Sequence, residues 1–185
     1  RPVSSAASDV YKRQILADSG DNPTAGGVGN RIDVLEYVFK NKIENTLFAG
    51  IYNEEIFREL KNKKNKIVIK DSISKKKISI SIDKFYLKND NAIVISNNNT
   101  VIFTKYRKPF HYLSDFRELN INLKKYKILI VKSGYLSPEL KKLKADNFMI
   151  LTDGFVTQDF KRIKNLFREK PIYPFQKNFR YNIAI

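Results

Sequence analysis

The sequence predicts an α/β fold: a mixed β-sheet with flanking helices plus a central antiparallel meander, in a single domain. Three observations predict it. Lys127-Ile128-Leu129-Ile130-Val131 is a nearly continuous apolar run, the pattern of a strand covered on both faces. Ile32, Leu35, Val38 and Phe39 recur at helical spacing. Ile78, Ile80 and Ile82 alternate with Ser79 and Ser81, the period of a strand with one wet face.

Taken in order, Ile15-Leu16-Ala17 reads as a short strand that runs into an acidic, Gly-rich loop over 18–29. Asn30 is the expected cap of the first helix, with Asp33 in its first turn, where a carboxylate suits the helix dipole. Thr46-Leu47-Phe48-Ala49-Gly50-Ile51 is a buried-strand candidate. Asn53 is expected to cap a second helix, with Glu54 and Glu55 at its start and Ile56, Phe57 and Leu60 facing inward. Residues 66–69, 78–82, 92–95 and 101–104 are short β-rich segments. Asn89-Asp90-Asn91 and Asn97-Asn98-Asn99 punctuate them as turns, which predicts the meander. After the 127–131 strand, Ser137 and Pro138 supply the cap and first position of another helix. Residues 148–151 form a further strand. Thr157 is expected to cap a last helix through Ile163 and Leu166. Two prolines, Pro171 and Pro174, predict an extended tail over 171–175. No internal repeat is visible.

Composition narrows the function classes. The chain has 185 residues, with 35 Lys and Arg against 19 Asp and Glu, a net charge of +16. A basic balance is one property of nucleic-acid binders. Here Lys, Asn and Ile dominate together, as AT-rich codons dictate, and runs such as Lys75-Lys76-Lys77 read as solvated turns. No RNA-recognition, zinc-finger or helix-turn-helix signature stands beside them, so nucleic acid is not the expected partner. The absence of Cys excludes disulfides and thiolate metal sites. A single His excludes a His-rich zinc site. No apolar run in the sequence is long enough to span a bilayer, and residues 1–14 do not read as a secretory signal. The expected compartment is the cytoplasm, with no membrane partner.

The N-terminal run Ser4-Ser5-Ala6-Ala7-Ser8-Asp9-Val10-Tyr11-Lys12-Arg13-Gln14 resembles the conceptual translation of a transposase adapter used in sequencing libraries. Such a segment is set aside before fold reasoning. Residues 1–14 are therefore read as adapter-derived and 15–185 as the native domain, part of a metagenomic fragment whose parent extends upstream of Ile15. What remains is one domain by length, with room for a core.

Three segments could carry chemistry. The loop Asp18-Ser19-Gly20-Asp21-Asn22-Pro23-Thr24-Ala25-Gly26-Gly27-Val28-Gly29-Asn30 joins a strand end to a helix start, a common ligand position in α/β proteins. Its glycines permit close backbone approach. It lacks the Gly-Lys-Ser/Thr ending of a P-loop, and its glycine spacing is not that of a dinucleotide fingerprint. Asp18 and Asp21 would repel a phosphate and suit a hydroxyl, an ammonium group or the rim of a metal site. A structural turn whose Asp and Asn side chains bond local backbone fits equally well. His111, after Lys108-Pro109-Phe110, is either a packing residue or a catalytic one. Lys132-Ser133-Gly134-Tyr135 lies just past the central apolar run, at another favoured ligand position or in an ordinary strand-to-helix turn.

Together these segments resemble, in order, the motifs of the C-terminal domain of the microcystinase C (MlrC-type) metallopeptidases. Asp18 to Gly27 looks like its opening motif, Lys108-Pro109-Phe110-His111 with Asp115-Phe116 its Pro-Phe-His segment, and Ile130-Val131-Lys132-Ser133 its Val-Lys-Ser segment. Leu151-Thr152-Asp153-Gly154 and Arg168-Glu169-Lys170-Pro171 resemble its closing motifs. The resemblance implies a two-domain parent, a hydrolase of peptides or small amides related to the enzymes of microcystin degradation. Its N-terminal metal-binding domain, missing here, would hold the catalytic zinc through Asp and His ligands. Zinc there would polarise a carbonyl and lower the pKa of its water toward ~7. This chain would form one wall of the cleft, with that domain and the substrate as its partners. By the same resemblance, Asp18, Asp21, Asn22 and His111 are the implied catalytic residues and Gly26, Gly27, Lys132 and Ser133 the implied substrate-binding ones, with no metal ligand in this chain. The alternatives are a basic nucleic-acid-binding module and a non-catalytic binding or assembly domain. Two departures stand out. Asn30 occupies a position where the family usually has Asp, and residues 61–77 lack the Gly and Pro of the family's corresponding loop.

Overall fold

Residues 13–62, 65–71 and 73–162 are described by the computed structural model. In chain order the elements are β1 (Arg13–Asp18), α1 (Asp33–Lys40), β2 (Thr46–Tyr52), α2 (Glu55–Lys61), β3 (Lys66–Lys70) and β4 (Lys77–Ser81). There follow β5 (Lys84–Lys88), β6 (Asn91–Ser96), β7 (Asn99–Thr104), α3 (Leu113–Arg117), β8 (Ile128–Lys132), α4 (Pro138–Lys141) and β9 (Ala145–Ile150). Short 3-10 turns cover Pro23–Ala25, Leu123–Lys125 and Phe160–Arg162.

One sheet runs in the order β5-β6-β7-β2-β8-β1-β9. From β7 to β9 every pairing is parallel, while β5, β6 and β7 are antiparallel. The period-2 geometry of its strands sorts side chains between two cores. Ile130 and Phe48 enter the core under α1 and α2, with Ile32, Leu35, Ile56 and Leu60. Leu129, Val131, Leu47 and Ala49 enter the opposite one, with Phe110, Phe116, Leu136 and Leu140. Fully apolar runs such as those of β2 and β8 result from this two-sided covering.

The meander is smaller than the β-rich middle third suggested. The hairpin of β3 and β4 forms a separate antiparallel sheet, and its Ile67, Ile69 and Ile80 join the first core. The true meander is β5-β6-β7, and β5 escaped the sequence reading. Its two links are Asn turns: Asn89 and Asp90 have φ of 47° and 55°, Asn97 and Asn98 of 47° and 59°. Positive φ at both central residues matches the twist of an antiparallel hairpin.

Helix starts follow the expectation in part. Ser137 Oγ accepts from Leu140 N (3.3 Å) with Pro138 behind it, and Asn53 Oδ1 accepts from Ile56 N (3.3 Å). Asn30 does not cap α1, which begins three residues later at Asp33. The amides ahead of α1 are satisfied from afar: Arg31 N by Asp21 Oδ2 (2.7 Å) and Ile32 N by Asp71 Oδ2 (3.2 Å). The helix expected from Thr157 shows the 3-10 turn Phe160–Arg162; Ile163, Leu166 and the 171–175 tail lie outside the described residues. No helix among the described residues is long and apolar enough to cross a membrane.

Candidate functional site

Parallel pairing sets Asp18 beside Lys132, since the register of β1 and β8 runs Ala17 to Val131 and Asp18 to Lys132. The two side chains meet at the carboxyl ends of the strands, where the loops of an open α/β sheet bind ligands. Lys132 Nζ lies 3.0 Å from Asp18 Oδ2 and 3.1 Å from Asp21 Oδ2, and all three residues are buried. Burial alone pulls the ammonium pKa down. The charges and hydrogen bonds of Asp18 and Asp21 outweigh it and hold the group above the ordinary lysine value. Each carboxylate has further donors. Thr152 Oγ1 donates to Asp18, and Asp21 Oδ1 accepts from Gly29 N (2.8 Å). The ammonium thus ties both ends of the 18–31 loop to the sheet.

Asn22 is held by its oxygen: Oδ1 accepts from Thr24 N (3.0 Å) and Thr24 Oγ1 (2.8 Å). Its carbonyl accepts from Gly27 N (2.8 Å), and a Cβ on Gly27 would stand 2.7 Å from that oxygen, so only Gly fits there. Gly26 turns the loop outward with φ of 103° into open space.

His111 is pinned by its backbone. Its N–H donates to Asp115 Oδ2 (3.1 Å) at the start of α3, and its carbonyl accepts from Ser137 Oγ. Phe110, one residue earlier, is buried against Gly50 and Phe116, with ring centroids 5.4 Å apart in the latter pair. Gly50 sits in a β-bulge of β2 with φ of 86°, and a Cβ there would lie 2.9 Å from the Phe110 ring. His111 Nε2 is buried and has no hydrogen-bond partner among the described residues.

A third segment closes over the loop. Ser19 N donates to the Ile150 carbonyl (3.1 Å), Gly20 N to Thr152 Oγ1 (3.1 Å) and Val156 N to the Gly20 carbonyl (3.2 Å). Gly20 and Gly154 cross so closely that a Cβ on Gly154 would stand 1.8 Å from the Gly20 oxygen. This crossing carries the chain from β9 to Gln158. The result is a cavity of about 420 Å³ whose walls include Asn22, His111, Ser133, Gly134, Tyr135 and Gln158.

The model of the MlrC C-terminus family matches residues 16–65 and 71–165. The chain belongs to the MlrC C-terminus family. The residues between the matched stretches, 66–70, are strand β3, inside the 61–77 departure; that stretch is the end of α2, β3 and its hairpin rather than a loop. Among solved structures, this MlrC C-terminal domain is similar in fold to the "Putative metallopeptidase" of Mesorhizobium sp. BNC1, with a TM-score of 0.64 and 13% identity. The likeness covers 92% of this chain and 39% of that one, so the domain spans about two-fifths of the length of the Mesorhizobium protein. A search of curated proteins finds no match.

Of the residues singled out in its sequence, the MlrC C-terminal domain brings Asn22, His111 and Ser133 to the cavity wall. Asp18, Asp21 and Lys132 lie together beside it as a buried ionic triad; the ammonium that the two aspartates suited is the chain's own. Gly26 is on the exposed outer turn and Gly27 is buried under Asn22. Sequence reasoning missed Gln158 as a wall residue and Thr152 as the donor to Asp18; Gly134 and Tyr135 lay in a segment read as a ligand position or an ordinary turn, without a role of their own. Thr152 did carry a signal, its place in a closing motif; Gln158 carried none. Among the described residues no group of three or more His, Cys, Asp or Glu is placed to hold a metal ion. Asp18 is engaged by Lys132 and the Thr152 hydroxyl and Asp21 by Lys132 and two backbone amides, so the described residues do not fit a metal centre of their own.

Proposed function

We propose that this domain forms one wall of the active-site cleft of a zinc-dependent MlrC-type peptide or amide hydrolase, working in the cytoplasm. In this reading the zinc is held by an N-terminal domain outside the chain. One observation carries it. The cavity at the carboxyl ends of β1 and β8 gathers Asn22, His111 and Ser133 from three separate loops, and His111 has a buried Nε2 with no hydrogen-bond partner among the described residues. An unpaired buried nitrogen needs an explanation, and in this reading it is a binding or catalytic role. The name of the Mesorhizobium protein and the further length of its chain support the class and leave room for a second domain.

The roles follow from the contacts. His111 Nε2 holds or moves a proton at the substrate. Asn22 and Ser133 shape the wall, Gly26 and Gly27 let the loop fold tightly under Asn22, and Lys132 with Asp18 and Asp21 keeps the loop in place. The test uses the complete reading frame. Its upstream region is expected to encode His and Asp ligands, and the zinc-loaded protein to hydrolyse peptide amides. His111→Gln is expected to lower kcat by about 10²–10⁴-fold. A full-length protein without such ligands, or one whose turnover ignores His111→Gln, sinks the reading. Calorimetry on the present chain gives a second check: micromolar zinc binding would contradict ligands placed upstream.

A further inference from the structure

The two amide side chains at the cavity wall converge on one glycine. A Cβ built on Gly134 would stand 2.7 Å from Gln158 Nε2 and 3.1 Å from Asn22 Nδ2. Asn22 is only 7% exposed, and its Oδ1 is already committed to Thr24, which fixes Nδ2 as the end turned toward Gly134. Among the described residues no hydrogen bond engages Asn22 Nδ2 or the Gln158 side chain. Both nitrogens are therefore available to donate to an acceptor that enters the cavity.

The surroundings say which acceptor. No Lys, Arg, Asp or Glu lines this cavity, although the chain carries a net charge of +16. A carboxylate or phosphate would enter without a counter-charge and lose its hydration. A carbonyl oxygen has two lone pairs and no charge, and two N–H donors converging on it satisfy both. The bare face of Gly134 lets that oxygen approach the backbone.

We propose that Asn22 and Gln158, over the floor made by Gly134, cradle the carbonyl oxygen of an uncharged amide segment. Gln158 and Gly134 thereby become binding residues of the cleft wall. The assignment rests on the reading that this cavity faces a peptide or amide substrate, and deepens it by naming the group recognised.

The chain itself supplies the test. In a ¹⁵N-labelled sample the side-chain amides of Asn22 and Gln158 are direct reporters, and His111, the sole histidine of the sequence, is a third. N-acetylalanine methylamide is the neutral probe and acetate the anionic one. The neutral amide is expected to shift these signals saturably, and acetate not to saturate. Gly134→Ala is the decisive variant. Gly134 has no left-handed φ, and the nearest atom is the tip of a flexible side chain, so the fold accepts the methyl group while the cradle is filled. Affinity for the amide is expected to fall roughly tenfold or more, and Gln158→Ala to weaken it similarly. Unchanged affinity in both variants, with thermal unfolding unaltered, overturns the proposal, as does tighter binding of acetate than of the amide. The two readings fail separately. Binding by this chain without amide hydrolysis by the complete protein removes the hydrolase and leaves the cradle. Hydrolysis with a KM indifferent to Gly134→Ala removes the cradle and leaves the hydrolase.

Discussion

Lys132 shows how little of a site is visible from spacing alone. Asp18 and Asp21 lie 114 and 111 residues from it in sequence, and only the parallel register of β1 with β8 makes them neighbours. The loop's need for an ammonium could be read from its two carboxylates; which ammonium could not. Removing it leaves two buried carboxylates facing each other. Lys132→Met is therefore expected to destabilise the fold by about 3–5 kcal/mol, measured by urea denaturation. The pH dependence follows from the direction of the shift. Lys132 is held above the ordinary lysine value of 10.5, so its contribution is complete below that pH and lost as pH rises through the folded value. Asp71 behaves in the opposite sense. Burial raises its pKa, but the N–H groups of Ser74, Ile32 and Ile73 outweigh burial and hold it below the ordinary 3.8. Its contribution is complete above that pH and lost as pH falls through the lower folded value. Lys132→Met should flatten the alkaline limb of the stability profile and Asp71→Asn the acid limb; the reverse pattern would contradict both assignments.

At the scale of elements, legibility tracked two-sided burial. β2 and β8 were readable because core covers both faces and no polar residue interrupts them. β5 was not. It is an edge strand, half exposed, with a lysine at each end and too little alternation to register. α3 was equally hidden: it is too short for an apolar stripe, and its start depends on Asp115 reaching back to the amides of His111 and Tyr112. The bulge at Gly50 belongs here too. Nothing in Thr46-Leu47-Phe48-Ala49-Gly50-Ile51 marks Gly50 as the seat of a phenylalanine sixty residues on, yet that seat decides where His111 stands. Gly50→Ala is expected to cost about 1–3 kcal/mol, because a side chain is strained at φ of 86°. It should also move the imidazole resonances of His111. Phe110→Leu in that background should restore part of both. An unmoved His111 signal in a destabilised Gly50→Ala protein would reduce the bulge to a purely structural role.

For the molecule as a whole, the sheet is a graded support. β2, β8 and β1 have neighbours on both sides; among the described residues β9 pairs with β1 alone and forms one edge. Phe148 and Met149 of β9 are about half exposed, unlike the equivalent apolar positions of β8. An edge held by one neighbour opens at lower free energy than the centre. The crossing of Gly20 with Gly154 has a consequence in these terms. It threads Gln158 to the cavity by way of the least anchored strand, like a latch mounted on a loose hinge. Warming should release that latch while the frame is still standing. Amide exchange in β9 is expected to quicken, and amide-probe affinity to fade, several degrees below the cooperative melting of β2 and β8. Simultaneous loss of binding and core structure would show instead that the edge and the centre unfold as one.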